Sequence, residues 1–295
     1  MNKIIDKEII IEKQIFDNYF KVLLSKKLNK SYLDKVMLYG TLNGGKRIRP
    51  YLIKQFSLLK NVKSKSYLRL AASVEIIHSY SLIHDDLPSM DNDNFRRGKP
   101  SVHYKYNEAQ AILAGDSLHD LAFEILSDQK MNKNPLIRSN LVYQLSKSLG
   151  AAGLAGGQSL DLLFENKNAP ISKIKKMYEM KTGALFNFCC TGPFIISKAN
   201  KKEIDFAKRY GQFFGLIFQI VDDFMDVYGN KSSIGKTPGK DAKQKKSTIL
   251  KHLNSKKLNI FCKKISSEFI KSNEYYLHKW PKLKLLIFYL IDQLD

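Results

Sequence analysis

Along most of the chain, apolar residues recur every three or four positions with lysine, asparagine and glutamate between them, the period of helices with one buried face. The spacing predicts helices over approximately 5–26, 31–42, 47–59, 66–87, 107–127, 135–150, 171–180, 182–197, 201–228, 257–275 and 281–293. Period-two alternation is rare. Gly44-Gly45, Pro88, Gly98-Lys99-Pro100, Pro135, Pro170, Gly229, Pro238-Gly239 and Pro281 punctuate these segments. No stretch reads as an interdomain linker, an internal repeat or a low-complexity tail. The pattern predicts an all-α, single-domain helical bundle over residues 1–295, built around a central cavity.

Two acidic clusters interrupt otherwise apolar helical segments. The first is Asp85-Asp86-Leu87-Pro88-Ser89-Met90-Asp91 and the second Asp222-Asp223-Phe224-Met225-Asp226. Carboxylates gathered on such segments repel one another and lose hydration, so cations should compensate, and hard divalent ions suit oxygen donors best. At ~100° per residue, Gln219, Asp222, Asp223 and Asp226 form one polar stripe on a helix whose other faces carry Phe218, Ile220, Phe224 and Met225. In an unbroken helix Asp91 would lie ~120° from Asp85. Pro88 breaks the helix, and a short loop at Pro88-Ser89 is expected to swing Asp91 back. His78 and Ser81 share the stripe of Asp85, and Tyr80 lies to one side.

Composition adds a net charge of +21, which raises the possibility of a nucleic-acid partner. Only seven of the 49 basic residues are arginine, and the lysines are scattered as on a solvated face. Four arginines, Arg47, Arg49, Arg96 and Arg97, fall in two short segments and suit bidentate anion binding. Lys46 and Arg49 lie at a helix start, where backbone N–H groups favour an anion. Carboxylates for metal and separate arginine sites suggest two phosphorylated ligands, one held through Mg²⁺ and one held directly. The polar, basic segment from Gly229 to Lys246 reads as a mobile lid over an anionic ligand. No run reaches the ~18–20 apolar residues of a membrane span, and the N-terminal segment lacks a signal-peptide core. Three cysteines in no zinc-ligand spacing read as reduced thiols of a cytoplasmic protein.

Gly44–Pro50, Ser81–Gly98, Gly157-Gln158-Ser159-Leu160-Asp161, Lys181-Thr182-Gly183, Phe218–Asp226 and Lys236 through Lys246-Ser247-Thr248 occur in this order. In residues and order they resemble the trans-prenyl diphosphate synthases, and most of all the bacterial farnesyl diphosphate synthase branch. The resemblance runs from roughly residue 35 to 250. It implies an isoprenoid-synthase helical fold, usually homodimeric, with the two aspartate motifs facing each other across a deep cavity. By the same resemblance Asp85 and Asp91, assisted by Asp86, would bind two Mg²⁺ ions and Asp222 a third, with Asp223 and Asp226 completing the second motif. Arg96, Lys181 and Lys236 would contact the allylic diphosphate. Gly45, Lys46, Arg49, His78 and Arg97 would form the isopentenyl diphosphate site. Lys181, Thr182 and Gln219 would lie near the developing carbocation, and Lys246 in the closing loop.

The implied reaction joins isopentenyl diphosphate to dimethylallyl and then geranyl diphosphate to give farnesyl diphosphate. Tyr80, five residues before the first aspartate, and the Pro88-Ser89 insertion both favour a fifteen-carbon product; geranylgeranyl diphosphate is the alternative. Gly153, Gly156 and Gly157 are expected to permit close helix packing, and Gln158 and Asp161 to cap or pair near the cavity rim. Asn92 and Asn94 stand where relatives commonly carry acids, and Ile249-Leu250 where relatives commonly have Tyr-Pro. A terpene cyclase would lack the second-substrate site, a basic nucleic-acid-binding protein would leave both aspartate clusters unexplained, and a non-catalytic subunit fits poorly with motifs intact in both halves. Neither nucleic acid nor a membrane is an expected partner.

Overall fold

The computed structural model describes residues 2–28, 30–229 and 246–295. The helical expectation holds. The helices are α1 (Asn2–Lys27), α2 (Tyr32–Thr41), α3 (Ile48–Leu58), α4 (Ser64–Asp85), α5 (Val102–Lys105), α6 (Glu108–Ser127), α7 (Pro135–Leu149), α8 (Leu154–Leu163), α9 (Ile171–Tyr178), α10 (Ala184–Ile196), α11 (Lys201–Tyr228), α12 (Ser255–Ser272), α13 (Glu274–Lys279) and α14 (Pro281–Ile291). Side-chain caps set several starts. Ser31 and Asp34 form a reciprocal capping box on α2, and Asn107, Asn200 and Asn254 each accept a backbone N–H three residues on.

The chain packs as two compact units. In the first, residues 6–142, α4 is the central helix and packs against α2, α3 and α6. Every residue from Arg69 to Ile77 is buried, because small side chains at Ala71, Ala72 and Ser73 let neighbours approach one side while Leu70, Val74, Ile76 and Ile77 fill the others. The only strands among the described residues are here, Phe95–Arg96 pairing antiparallel with Lys99–Pro100.

The second unit comprises residues 143–229 and 246–295, with residues 2–5. Its centre is the contact of α10 with α11. Gly211 and Gly215 bring the backbones together: a Cβ at either would sit 2.5 Å from the Cα of Asn187 or Gly183. Phe206, Tyr210, Phe214, Phe186 and Phe194 fill this core, and Tyr276 stacks on Phe206 at 4.4 Å. Two departures from the sequence pattern lie in this unit. First, α8 runs through Gly156 and Gly157, between the helices predicted over 135–150 and 171–180, where the pattern predicts no helix. Second, the break expected near residue 181 is instead a π-helical turn, Glu179–Gly183, that joins α9 to α10 without interruption.

Candidate active site

In the unit of residues 6–142, α4 ends at Asp85 and the chain turns back on itself. The Asp91 N–H bonds the Asp85 carbonyl at 2.8 Å, Asn92 N–H the Leu87 carbonyl at 3.0 Å, and Asp93 N–H the Asp86 carbonyl at 3.0 Å. The loop expected at Pro88-Ser89 is therefore present, and it returns the backbone of Asp91 to that of Asp85. Asp85 and Asp91 are half-buried. Asp86 is buried, and its carboxylate receives the Arg96 guanidinium, with Nε at 3.1 and 3.3 Å from its two oxygens and Nη2 closer still. Burial works against the Arg96 charge, but the bond to Asp86 together with the charges of Asp86, Asp93 and Asp85 outweighs it and raises the guanidinium above its ordinary value.

Beyond Arg96 the chain makes a hairpin whose two turn residues, Arg97 and Gly98, have φ of 54° and 75°. This aims Arg97 at the Gly44-Gly45 turn, where φ is 82° and 122°. The Arg97 guanidinium donates to the Gly44 carbonyl, and a Cβ on Gly45 would sit 2.8 Å from its Cζ. Arg47, at φ 56° just before α3, is turned inward. It bonds Asp17 at 2.8 Å and the buried Glu75 at 2.7 Å, so its charge is neutralised within the protein and is not presented to a ligand. His78 on α4 is held well below the usual imidazole range by burial and then by Arg49, Arg97, Arg47 and Arg96. It is neutral at physiological pH. Burial and the neighbouring guanidiniums likewise lower Arg97, although Glu75 opposes them. His78 is thus a neutral imidazole within the field of four guanidiniums, an environment that suits an anion.

The unit of residues 143–229 and 246–295 carries a second set. The π turn places Lys181 and Thr182, and its widened backbone is completed by the Gln212 amide, which donates to the Glu179 carbonyl at 3.0 Å. A Cβ on Gly157 would sit 2.1 Å from Lys181 N, so this glycine of α8 allows the helix to lie directly on the π turn. Asp161, one turn further along α8, takes Lys181 Nζ at 2.6 Å and Lys246 Nζ at 3.5 Å. Burial pushes the Asp161 carboxyl up, but the two ammonium groups together hold it below its ordinary value. Across from the turn on α11, Thr182 Oγ1 donates to Gln219 Oε1 at 2.6 Å, and Gln219 Nε2 to Asp223 Oδ1 at 2.8 Å. The buried Tyr178 hydroxyl donates to Asp223 Oδ2 and accepts from Ile249 N–H at 3.1 Å. Burial and then Asp223 push the phenol well above its ordinary value, so it stays protonated and donating.

The polyprenyl synthetase family profile matches residues 30–274. The chain is 42% identical over 216 residues to the farnesyl diphosphate synthase of Escherichia coli K12, a match that covers 72% of each protein. The chain belongs to the polyprenyl synthetase family. Among solved members of that family, an FPP/GFPP synthase from Zymomonas mobilis superposes with a TM-score of 0.83 at 34% identity, covering 99% of this chain and 100% of the other. A Helicobacter pylori geranyltransferase, solved with magnesium and isoprenyl diphosphate, superposes with a TM-score of 0.83 at 30% identity over 97% and 96% of the two chains.

As a polyprenyl synthetase, this chain sorts its six motif aspartates by environment. Asp85, Asp91 and Asp222 are half-buried, whereas Asp86, Asp223 and Asp226 are 3%, 3% and 2% exposed. Of the buried three, Asp86 is bonded to Arg96, and Asp223 to Tyr178 and Gln219. Among the described residues no three His, Cys, Asp or Glu side chains form a closed metal cage. The half-buried Asp85, Asp91 and Asp222 offer hard carboxylate oxygens that fit Mg²⁺, which takes one or two carboxylates and completes its shell with water and substrate phosphate oxygens. Gly45, His78, Arg97, Arg96, Asp85, Asp86 and Asp91 are gathered in one unit, with Arg49 near His78 and Lys46 exposed at the same turn. Lys181, Thr182, Gln219, Asp223 and Lys246 are gathered in the other. Lys236 lies outside the described residues, as does most of the expected lid. Tyr80 meets the rings of His84 and His119 edge-on at 5.0 and 5.3 Å. Sequence reasoning missed Tyr178, which carries no motif, and gave Asp161 no partner.

Proposed function

We propose that this protein is a prenyl transferase that condenses isopentenyl diphosphate with dimethylallyl and then geranyl diphosphate, releasing farnesyl diphosphate. The observation that carries this reading is the second cationic corner. Arg97 against Gly45, with neutral His78 and the charge of Arg49 acting on it, supports a place for an anion separate from the carboxylate motif. An enzyme acting on a single diphosphate needs no such place. We assign isopentenyl diphosphate to it, with Lys46 as a further exposed cation. We assign the allylic diphosphate to Asp85, Asp91 and Asp222 through three Mg²⁺ ions, and to Arg96, Lys181, Lys236 and Lys246. The Helicobacter relative, solved with magnesium and isoprenyl diphosphate, supports the ligand class.

Magnesium held at these carboxylates would supply Lewis-acid neutralisation of the departing diphosphate. The chain's own residues do the rest. Arg96, Lys181 and Lys246 add fixed positive charge where negative charge grows on the leaving oxygens. The C1–O bond of the allylic substrate breaks, the isopentenyl double bond attacks C1, and a proton then leaves the new chain to the released diphosphate. Thr182 and Gln219, locked to each other at 2.6 Å, present oxygen dipoles to the allylic cation. Asp86, Asp223 and Asp226 belong to the proposed metal-binding set, and in the structure Asp86 is bonded to Arg96 and Asp223 to Tyr178 and Gln219.

Tyr80 limits the product to fifteen carbons. The reading includes a cytoplasmic homodimer; Ile112 and Leu113 on α6 are 44% and 49% exposed and provide apolar surface for a second copy. Among the described residues no helix is long and apolar enough to cross a membrane. The test incubates the purified chain with isopentenyl diphosphate, Mg²⁺ and five-, ten- or fifteen-carbon allylic primers, followed by chromatography of the dephosphorylated products. Farnesol from the two shorter primers is expected. Turnover of farnesyl diphosphate with no isopentenyl diphosphate present would overturn the proposal in favour of a cyclase.

A further inference from the structure

Tyr178 belongs to none of the motifs, yet its hydroxyl joins three parts of the second unit. It sits at the last position of α9, immediately before the π turn that carries Lys181 and Thr182. Its proton goes to Asp223 Oδ2, and its lone pair receives Ile249 N–H at 3.1 Å. Ile249 follows Lys246 by three residues. The same short stretch is pinned by Ser247, whose hydroxyl donates to the Phe164 and Lys167 carbonyls, and by the fully buried Ile249 side chain.

The consequence for Gln219 is directional. An amide side chain can be flipped, exchanging donor and acceptor. Asp223 can only accept, so it fixes Nε2 toward itself and Oε1 toward Thr182. Asp223 in turn accepts the Tyr178 phenol proton on its other oxygen.

We propose that Tyr178 is a positioning residue of the transfer reaction: a single hydroxyl sets the orientation of the Asp223–Gln219–Thr182 chain and anchors the segment that delivers Lys246. Tyr178 touches no substrate. It makes the carbocation-facing oxygens and the lysine of residue 246 parts of one hydrogen-bonded assembly, so that both are in place together. Asp223 in this assembly is an orienting group.

The inference rests on the proposed transfer reaction, and wild-type turnover of isopentenyl diphosphate in the same assay secures that reading independently. Tyr178→Phe keeps the ring and its volume and removes only the hydroxyl. The expected result is a kcat lower by about tenfold or more, with the KM for isopentenyl diphosphate unchanged within about twofold. Tyr178→Phe combined with Asp223→Asn should be no slower than Asp223→Asn alone, because both act through one route. Amide exchange read by mass spectrometry gives an answer that does not depend on activity. A peptide containing Ile249 should exchange faster in the Tyr178→Phe protein, while peptides from α4 should not change. A kcat within threefold of wild type, multiplied losses in the double variant, or unchanged exchange at Ile249 each overturns the proposal. Should Tyr178→Phe fail to fold, Asp223→Asn alone is expected to show the same fall in kcat at constant KM for isopentenyl diphosphate, and a normal rate there overturns it equally.

Discussion

Replacing Gly45 with alanine tests the cationic corner with the smallest possible change, one methyl group. The added Cβ would lie 2.8 Å from Arg97 Cζ and 2.9 Å from each of its terminal nitrogens. Ordinary contact begins near 3.4 Å, so the guanidinium must retreat by about 0.6 Å. The backbone has nothing to gain from the change either, since φ is 122° and an L side chain there is strained by about 1–3 kcal/mol. The guanidinium terminates a flexible side chain, so the clash itself is relieved cheaply and the fold should survive. What is lost is register with the diphosphate. A misplacement of this order can cost up to about 100-fold, and a charge-assisted hydrogen bond is worth roughly 1.5–3 kcal/mol. We expect Gly45→Ala to raise the KM for isopentenyl diphosphate by about tenfold to 100-fold while leaving the KM for geranyl diphosphate within about twofold. Steady-state rates with each substrate varied in turn read the two constants separately. Equal increases in both, or no change in either, would refute the assignment of Gly45 and Arg97 to the second substrate.

Asp85→Ala and Asp222→Ala should each reduce turnover by about 100-fold or more, since each removes a carboxylate assigned to the metal clamp, and a rate near normal in either would contradict its role. Tyr80→Ala should open space beyond the prenyl chain and yield products longer than fifteen carbons, read by chromatography after dephosphorylation. Arg47→Ala should destabilise the fold by about 3 kcal/mol or more in urea titration, because it leaves Glu75, whose side chain is 2% exposed, as a buried charge without its partner. Asp161 is depressed in the folded protein, so its contribution to stability is present above the ordinary carboxylate range and disappears as pH falls through its lowered value. Melting temperatures measured from pH 7 to pH 2 should therefore fall less steeply on the acid side in Asp161→Asn than in the wild type.

Much of this structure is legible in the sequence because helical period and turn chemistry are local. Proline and glycine marked most element ends to within a few residues, and the loop after Asp85 followed from Pro88. What was not legible depends on contacts across long separations. Residues 154–163 contain two adjacent glycines among good helix formers, and what the sequence does not show is that Gly157 lies on Lys181, twenty-four positions later. The π turn leaves no compositional trace, since one added residue per turn changes no residue type. Arg47 resembled its neighbours Arg49 and Arg97 in sequence, and only the positions of Asp17 and Glu75 turn it inward. The six aspartates looked alike until burial divided them into two groups of three.

The pairing of Asp161 with Lys181 and Lys246 has a consequence for how an incoming substrate is admitted. These two ammonium groups already have an anion of their own. If these lysines receive the allylic diphosphate as proposed, the incoming group binds by exchange, and must offer more charge and more oxygen atoms than one carboxylate does. Diphosphates meet that standard, while singly charged ions of the surrounding solution do not. On that assignment Asp161 sets a threshold within the protein that favours ligands of higher valence.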